Sequence, residues 1–228
     1  MRRNGGVAFR EDLIITIDGP SGAGKSTIAK MLSRKLGYTF IDTGAMYRGV
    51  AYAYQTRKKN ETMEELLENI SMRFNFRGET KVFLDGMDVS EEIRSPEISL
   101  LASSLSQQKI VREYLYKVQR EIGKKGGVVL EGRDTGSVVF PDAHFKFYLD
   151  AHPEERAKRR YLELSAKGTV EALTKVKAEM IQRDKNDSER DIAPLVIPDG
   201  AIRLDTTGLD TAGVLDILLK HIISKGVT

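Results

Sequence analysis

The sequence predicts an α/β fold in which a five-stranded parallel sheet is flanked by helices. Short apolar segments rich in β-branched residues alternate along the chain with longer segments whose apolar residues recur at helical spacing. This alternation is typical of parallel sheets with right-handed crossover helices, because a parallel neighbour can be reached only through a long connection. The chain has 228 residues, 40% of them hydrophobic and 30% charged, which suits one domain with an inserted subdomain.

The individual elements follow from local patterns. A helix is predicted from Lys25 to Leu36, where apolar residues lie on one face and Gly37 provides a stop. Asp210 is a candidate N-cap for a last helix that continues to about Ser224. The predicted strands are short and apolar, and they are Leu13–Ile17, Tyr38–Ile41, Val128–Leu130, Phe145–Leu149 and Ala201–Leu204.

Two segments do not fit a minimal α/β sandwich. Met72–Ile93 alternates apolar and polar residues and carries turn signals at residues 77–80 and at Asp85-Gly86, so it predicts a small β insert. Pro153–Arg190 is helical in pattern, highly charged and poor in aromatic residues, which predicts a solvated helical hairpin. We therefore expect a single domain, residues 1–228, whose core comprises about 13–42, 95–152 and 191–228.

Composition excludes several classes of function. The chain has no cysteine and three scattered histidines, which argues against disulfides, thiol nucleophiles and zinc sites. A net charge of +3 and the lack of a long apolar run give no reason to expect a nucleic-acid or membrane partner. We expect a cytoplasmic protein whose basic start, residues 1–12, is a frayed terminus.

A phosphate-binding loop follows the first predicted strand. Residues 19–26 fit the pattern G-x-x-x-x-G-K-[ST] between a buried strand and an amphipathic helix. The glycines let backbone N–H groups turn inward around a polyanion, and the helix adds the positive end of its dipole. Lys25 can reach the β- and γ-phosphates, and the Ser26 hydroxyl suits Mg²⁺. The predicted ATP-binding residues are Gly19, Pro20, Ser21, Gly22, Ala23, Gly24, Lys25, Ser26 and Thr27.

The rest of the chain indicates a second anionic ligand. A guanine-reading N-K-x-D motif is missing from the sequence, which argues against a GTPase switch. The segment Val128–Glu131 runs directly into Gly132-Arg133-Asp134, and an arginine there suits a second phosphate, which a guanidinium grips in a bidentate manner. Asp42–Arg48 offers a hydroxyl, an aromatic ring and another arginine directly after a strand. Alone, that segment could equally be a helix start with a surface arginine.

Three segments together resemble bacterial cytidylate (CMP) kinases, which are nucleoside monophosphate kinases. They are Ile17–Ser26, Asp42–Arg48 and Gly132–Ala143, and the resemblance extends over nearly the whole chain. It implies the P-loop NTPase fold with a monophosphate-binding region at about 43–94, including the β insert at 72–93, and a lid at about 153–190. Activity on CMP or dCMP in pyrimidine nucleotide metabolism, with ATP as donor and Mg²⁺ as cofactor, is implied in the same way, as is a monomer.

The resemblance also implies roles for individual residues. Ser103, Arg112 and Asp134 correspond to the residues with which the family reads the cytosine edge. Other positions match phosphate and sugar contacts. The implied phosphate contacts are Thr43, Arg48, Arg133 and Arg190, with Tyr47 nearby; the implied ribose contacts are Arg183 and Asp187; and the implied lid contacts to ATP are Arg156, Arg159 or Arg160.

Lys25, Arg48, Arg133 and Arg190 are the predicted catalytic residues, because each can offset charge on a transferred phosphoryl group. Alternatives stay open from the residues alone. Arg183 and Asp187 could form an ordinary i,i+4 ion pair, and the lid arginines could lie on an exposed charged helix. The acceptor could be UMP, AMP or shikimate, and an ATP-sensing regulator would carry the same loop. Glu131 replaces the Asp expected in some relatives, and we assign it no role.

Overall fold

A computed structural model describes residues 2–4, 7–57, 61–76, 80–166, 168 and 172–225, with side chains described from residue 10 onward. The described strands are short. In chain order they are β1 (Arg2–Asn4), β2 (Val7–Phe9), β3 (Ile14–Asp18), β4 (Thr39–Asp42), β5 (Met72–Asn75), β6 (Lys81–Leu84), β7 (Met87–Asp88), β8 (Val128–Glu131), β9 (Phe145–Asp150) and β10 (Ile202–Asp205).

Helices fill most of the connections between the strands. A 3₁₀ turn spans Glu92–Arg94 and a π-helical turn spans Thr135–Val139. The α-helices are α1 (Lys25–Leu36), α2 (Thr43–Thr56), α3 (Met63–Asn69), α4 (Pro96–Leu105), α5 (Lys109–Gly123), α6 (Pro153–Ala166), α7 (Leu173–Glu189) and α8 (Thr211–Ser224).

The main sheet has five parallel strands in the order β10-β9-β3-β8-β4. The predicted fold class is therefore confirmed, and each of the five predicted strands is present within a residue of its expected bounds. The first strand of this sheet along the chain, β3, lies at its centre, and its residues Ile15 to Asp18 are buried. A strand with neighbours on both edges and helices on both faces has no solvated side, which explains its apolar sequence.

Helices cover both faces of this sheet. On one face, apolar residues of α1 and α8, such as Leu32 and Leu218, pack against Ile15 and Phe147. On the other face, α2 and α5 pack against Ile41 of β4 and against Val128 and Leu130 of β8. The Asp210 carboxylate caps α8 by accepting a hydrogen bond from Gly213 N at 2.8 Å, as predicted. Among the described helices, none combines the length and the apolar character that crossing a bilayer requires.

The predicted β insert is present as an antiparallel sheet of β5, β6 and β7. Asp85 and Gly86 form its second turn with φ angles of 50° and 88°, which is the conformation of a type I′ hairpin turn. Residues 77–79, in the first predicted turn, lie outside the described residues. The insert packs against α2 at Gly49, where a Cβ atom would lie 3.0 Å from Met72 Sδ and Val82 Cγ1. It thereby supports the helix that begins at Thr43.

The chain start differs from the prediction of a frayed terminus, because β1 and β2 form a short antiparallel pair. The helical hairpin predicted for 153–190 is present as α6 and α7. Few apolar side chains join these two helices, namely Ala157, Val176 and Met180 with Tyr161 and Leu164 beside them. So small an apolar cluster leaves the hairpin less firmly packed than the sheet.

Gly19, directly after β3, packs so closely against the backbone of β9 that we predict no side chain is tolerated there. Its φ is +142°, and a Cβ atom there would lie 1.9 Å from Leu149 O. Gly19→Ala should lower the free energy of unfolding by about 3–5 kcal/mol, combining overpacking with backbone strain. Gly86→Ala is the control, since Gly86 also has positive φ but no atom within 4 Å, and it should cost about 1–2 kcal/mol. Urea unfolding followed by circular dichroism measures both, and equal losses would contradict the steric account.

Candidate active site

An open cleft of about 1220 Å³ lies along the carboxyl edge of the main sheet. Its lining includes the loop after β3, the start of α2 after β4, and the residues that follow β8. Ligands of open parallel sheets bind at this edge, because loops and helix N-termini meet there. With the exceptions of Gly19, Pro20 and Arg156, every residue that the sequence assigns to a nucleotide lines this cleft.

The loop at residues 19–24 has the backbone shape that anion binding requires. Gly22 and Gly24 have φ angles of 74° and 86°, which favour glycine, and Gly24 is the N-cap of α1. The dipole of α1 consequently points its positive end into the cleft. A larger residue at position 22 would collide with α6, since its Cβ would lie 2.7 Å from Arg156 O.

Lys25 lies at the base of this loop and is 5% exposed. Its ammonium donates a hydrogen bond to Pro20 O at 2.6 Å. Burial, together with the nearby charge of Arg133, lowers the pKa of Lys25 to about 7. A phosphate beside the ammonium would reverse this shift by favouring the charged form.

Ser26 and Glu131 form a pair of oxygen ligands beside the loop. Ser26 Oγ donates a hydrogen bond to Glu131 Oε1 at 2.8 Å, although the two residues are 105 positions apart. Burial and the neighbouring Asp42 raise the pKa of Glu131. Hydroxyl and carboxylate oxygens are the donors that Mg²⁺ prefers when phosphate and water supply its other ligands, so this pair fits the predicted metal. Among the described residues, no group of three or more acidic, histidine or cysteine side chains could hold a metal by itself.

Asp18 joins the loop after β3 to the segment after β8. Its fully buried carboxylate accepts hydrogen bonds from Thr135 N at 2.9 Å, Thr135 Oγ1 at 2.8 Å and Gly136 N at 2.7 Å. Burial nevertheless raises the pKa of Asp18, because removal from water opposes the charged form more than these donors favour it. The contact fixes the backbone directly after Arg133 and Asp134, which both line the cleft.

Four arginines line this part of the cleft, and we call them the arginine wall: Arg48, Arg133, Arg183 and Arg190. Three of them have carboxylate partners. Arg133 Nε donates to Asp187 Oδ2 at 2.8 Å, and Arg48 Nη2 donates to Asp42 Oδ2 at 3.2 Å. Arg190 lies 3.5 Å from Asp187 Oδ1, and its side chain is 4% exposed. Burial and the charge of Arg133 lower the pKa of Arg183 to about 10. The cluster is thus electropositive and partly desolvated.

Several of these buried donors have no partner. Among the described residues, eight buried side-chain nitrogen or oxygen atoms make no hydrogen bond, and five of the eight belong to residues that line the cleft. An unpaired buried polar group is costly, so such a group indicates a missing ligand or water. The five atoms are Arg48 Nε, Ser103 Oγ, Arg112 Nε, Arg183 Nε and Arg190 Nη2.

Two of the three residues predicted to read a base are in contact, and the third, Ser103, lines the same cleft. Arg112 is 1% exposed, and its Nη1 donates to Asp134 Oδ2 at 3.1 Å and to Tyr47 OH at 3.0 Å. Asp134 Oδ1 lies 3.9 Å from Arg190 Nη2. The arrangement presents a carboxylate, guanidinium donors and the Ser103 hydroxyl around one pocket.

The three arginines that the resemblance assigns to a lid have different surroundings. Arg156 is buried and donates to Ala151 O at 2.9 Å, to Ser21 O at 3.0 Å and to Asp184, so its side chain is committed to holding α6 on the phosphate loop. Arg159 and Arg160 line the cleft. Arg159 donates to Thr206 O at 2.7 Å, which places it beside the loop before α8.

Some site contacts were not apparent in the sequence. Asp184 accepts from Ser21 N at 3.0 Å and so connects α7 to the phosphate loop. Tyr116 contacts both Arg112 and Asp134. The hydroxyl proton of Thr43 is used in a 2.7 Å hydrogen bond to Glu131 O, leaving Thr43 only lone pairs to offer a ligand. For the contacts of Glu131, the one signal in the sequence was its acidic side chain directly after a predicted strand.

Comparisons with known proteins agree on a family. A family model described as cytidylate kinase matches residues 15–224. A cytidylate kinase of Citrifermentans bemidjiense is 48% identical over 96% of this chain and 98% of its own length. Similar proteins are a cytidylate kinase of Geobacter sulfurreducens, 48% identical over 92% of both chains, and one of Bacillus anthracis, 45% identical over 92% of this chain and 95% of its own.

Solved structures show the same fold at low identity. The shikimate kinase of Acinetobacter baumannii superposes with a TM-score of 0.50 and 15% identity, covering 96% of this chain and 97% of its own. An uncharacterized protein from Eubacterium ventriosum gives a TM-score of 0.53 at 13% identity, covering 93% and 99%. A sheet of P-loop kinase topology, a cleft with two cationic walls and this extent of sequence identity lead to one conclusion: the chain belongs to the cytidylate kinase family.

Proposed function

We propose that this protein transfers the γ-phosphoryl group of ATP to CMP or dCMP, producing ADP and CDP or dCDP. The observation that carries the proposal is the set of five unpaired buried donors that belong to the arginine wall and to the residues assigned to the base. The loop accounts for one polyanion, and a second ligand with both a phosphate and a polar edge would pair these donors. A nucleoside monophosphate has both, and membership of the family supports cytosine as its base.

The donor nucleotide is assigned to residues 19–27. The N–H groups of the loop and the N-terminus of α1 receive its β- and γ-phosphates. The Lys25 side chain exchanges its hydrogen bond to Pro20 O for contacts with these phosphate oxygens. Their negative charge favours the protonated ammonium form of Lys25. Ser26 and Glu131 would hold Mg²⁺, which, when bound, offsets charge on the phosphates. Arg159 and Arg160 of the proposed lid reach the donor from above.

The acceptor is assigned to the arginine wall of the proposed monophosphate-binding region. Arg48, Arg133 and Arg190 grip its phosphate, because guanidinium groups form paired hydrogen bonds with phosphate oxygens. Arg183 and Asp187 are assigned to the sugar hydroxyls. Burial lowers the pKa of Arg190, an effect that a bound phosphate would reverse.

The base is assigned to Ser103, Arg112 and Asp134. Cytosine has one exocyclic amine as donor and two acceptors, O2 and N3. A carboxylate complements the amine, while a guanidinium and a hydroxyl complement the acceptors. Purines are larger and uracil replaces the amine with a carbonyl, so the same set discriminates against both.

The chemistry requires alignment rather than a covalent intermediate. An acceptor phosphate oxygen attacks the γ-phosphorus while the bond to the ADP oxygen breaks in line with it. Lys25, Arg48, Arg133 and Arg190 offset the charge that spreads over the transferred group. No general base is needed, since a phosphate monoester with a second pKa near roughly 6 is mostly dianionic at pH 7.

Exclusion of water is assigned to α6 and α7, the helices of the proposed lid at 153–190. Water would otherwise compete with the acceptor for the phosphoryl group. Asp184 of α7 accepts hydrogen bonds from Ser21 N in the phosphate loop and from Arg156 of α6. A ligand that binds the loop would therefore change a contact of the hairpin directly. The contacts between this hairpin and the phosphate loop are hydrogen bonds of Arg156 and Asp184, which can be exchanged without repacking the apolar core of the sheet.

A panel of acceptors tests the proposed function. ADP release is measured with CMP, dCMP, UMP, AMP, GMP, shikimate and no acceptor. We expect CMP and dCMP to exceed AMP and GMP in kcat/KM by about 10³-fold or more, since the wrong base leaves buried polar groups unpaired. A preference for UMP, AMP or shikimate would replace the assigned acceptor. ADP release that is slow and independent of every acceptor would instead identify a nucleotide-sensing protein.

A second prediction concerns the proton on Lys25. Its lowered pKa of about 7 means that the free protein is mostly unprotonated there at pH 8, whereas ATP favours the ammonium form. ATP binding at pH 8, without divalent cation, should therefore take up nearly one proton, and binding at pH 6 should take up few. Titration calorimetry in buffers of different ionisation heat measures this. Lys25→Met should abolish the difference between buffers; equal heats for the wild type at pH 8 would contradict the assignment.

A further inference from the structure

Tyr116 lies on α5 one helical turn after Arg112, and the mechanism above gives it no task. Its side chain is 8% exposed, and its ring lies between two cations. The ring centroid is 5.7 Å from Arg112 Cζ and 5.9 Å from Arg120 Cζ. A buried phenol in such a position must place its hydroxyl on a partner, and the choice of partner is informative.

The hydroxyl bridges the two residues assigned to the base. It accepts a hydrogen bond from Arg112 Nη1 at 3.1 Å and donates one to Asp134 Oδ2. Burial and the charge of Asp134 raise the pKa of Tyr116, so the phenol stays protonated and remains a donor. Arg112 Nη1 donates to the same carboxylate oxygen at 3.1 Å.

These contacts leave the two oxygens of Asp134 in different states. Oδ2 already receives hydrogen bonds from Tyr116 and Arg112, whereas the cation nearest to Oδ1 among the described residues is Arg190 Nη2 at 3.9 Å. An ionised carboxylate has lone pairs and no proton, so each of its oxygens is an acceptor. The oxygen left for a ligand is then an acceptor only. It can bind an exocyclic amine and must repel a carbonyl in the same place.

We propose that Tyr116 is a positioning residue for base selection, which holds Asp134 as a fixed acceptor and thereby favours cytosine over uracil. The inference rests on the proposed function, in which Asp134 faces the base. Without the hydroxyl, Asp134 would lose one of the two donors that fix its Oδ2, and its carboxylate could rotate about the side-chain bond away from the base. Discrimination would decline although the base pocket kept its shape.

Tyr116→Phe is the direct test, because it removes only the bridging oxygen. We expect KM for CMP to rise about tenfold, the size of one hydrogen bond to a charged group. The ratio of kcat/KM for CMP to that for UMP should fall by about the same factor. KM for ATP should stay within twofold of the wild type, since Tyr116 does not line the donor side.

Tyr114→Phe is the matched control. Tyr114 is a half-buried phenol on the same helix, and burial alone accounts for its raised pKa. It should leave both KM values and the CMP-to-UMP ratio unchanged. The ratio is measured on one preparation, so partial unfolding of a variant cancels, and a purely structural role for Tyr116 would not change it.

The outcomes separate this inference from the proposed function. A Tyr116→Phe ratio within twofold of a wild-type enzyme that prefers CMP would overturn the inference alone. A wild type with no preference for CMP over UMP would overturn the proposed base site and the inference with it. A lowered ratio with an unchanged KM for ATP, and an unaffected Tyr114→Phe variant, is the result we expect.

Discussion

The carboxylate of Asp18 determines how the two halves of the cleft face one another. It ends the central strand β3 immediately before the phosphate loop and accepts three hydrogen bonds from Thr135 and Gly136. Those residues directly follow Arg133 and Asp134. A buried side chain therefore joins the phosphate loop to the segment that carries Arg133 and Asp134. Because β3 has hydrogen-bonded neighbours on both edges, this junction lies at the centre of the sheet.

A second constraint on the cleft is the positive charge that lies on both sides of the contact made by Asp18. Burial lowers the pKa of Lys25 to about 7 and that of Arg183 to about 10, and Arg133 contributes to both shifts. The fold thus keeps cations close together at a cost in stability, as preorganised sites do. Two phosphates placed between them would pair these charges and satisfy the free donors. Binding and catalysis then use the same electrostatic arrangement.

The sequence alone predicted correctly those elements whose structure depends on a local pattern of residues. The helix Lys25–Leu36 has its predicted bounds, because a glycine-rich loop, an apolar stripe and Gly37 all act within a few residues. Long-range pairings were harder to predict. Glu131 meets Ser26 across 105 positions and Asp184 meets Ser21 across 163, and neither segment contains a sign of its partner. The strand pair at the chain start was likewise missed, since it is too short to show periodicity.

Simultaneous binding of two nucleotides is the most direct test of this account. Titration calorimetry with a non-hydrolysable ATP analogue is followed by CMP on the saturated protein, and then performed in the reverse order. The account predicts one site for each nucleotide and binding of the second in the presence of the first, because it assigns their phosphates to different residues that line one cleft. Mutually exclusive binding at a single site would contradict it.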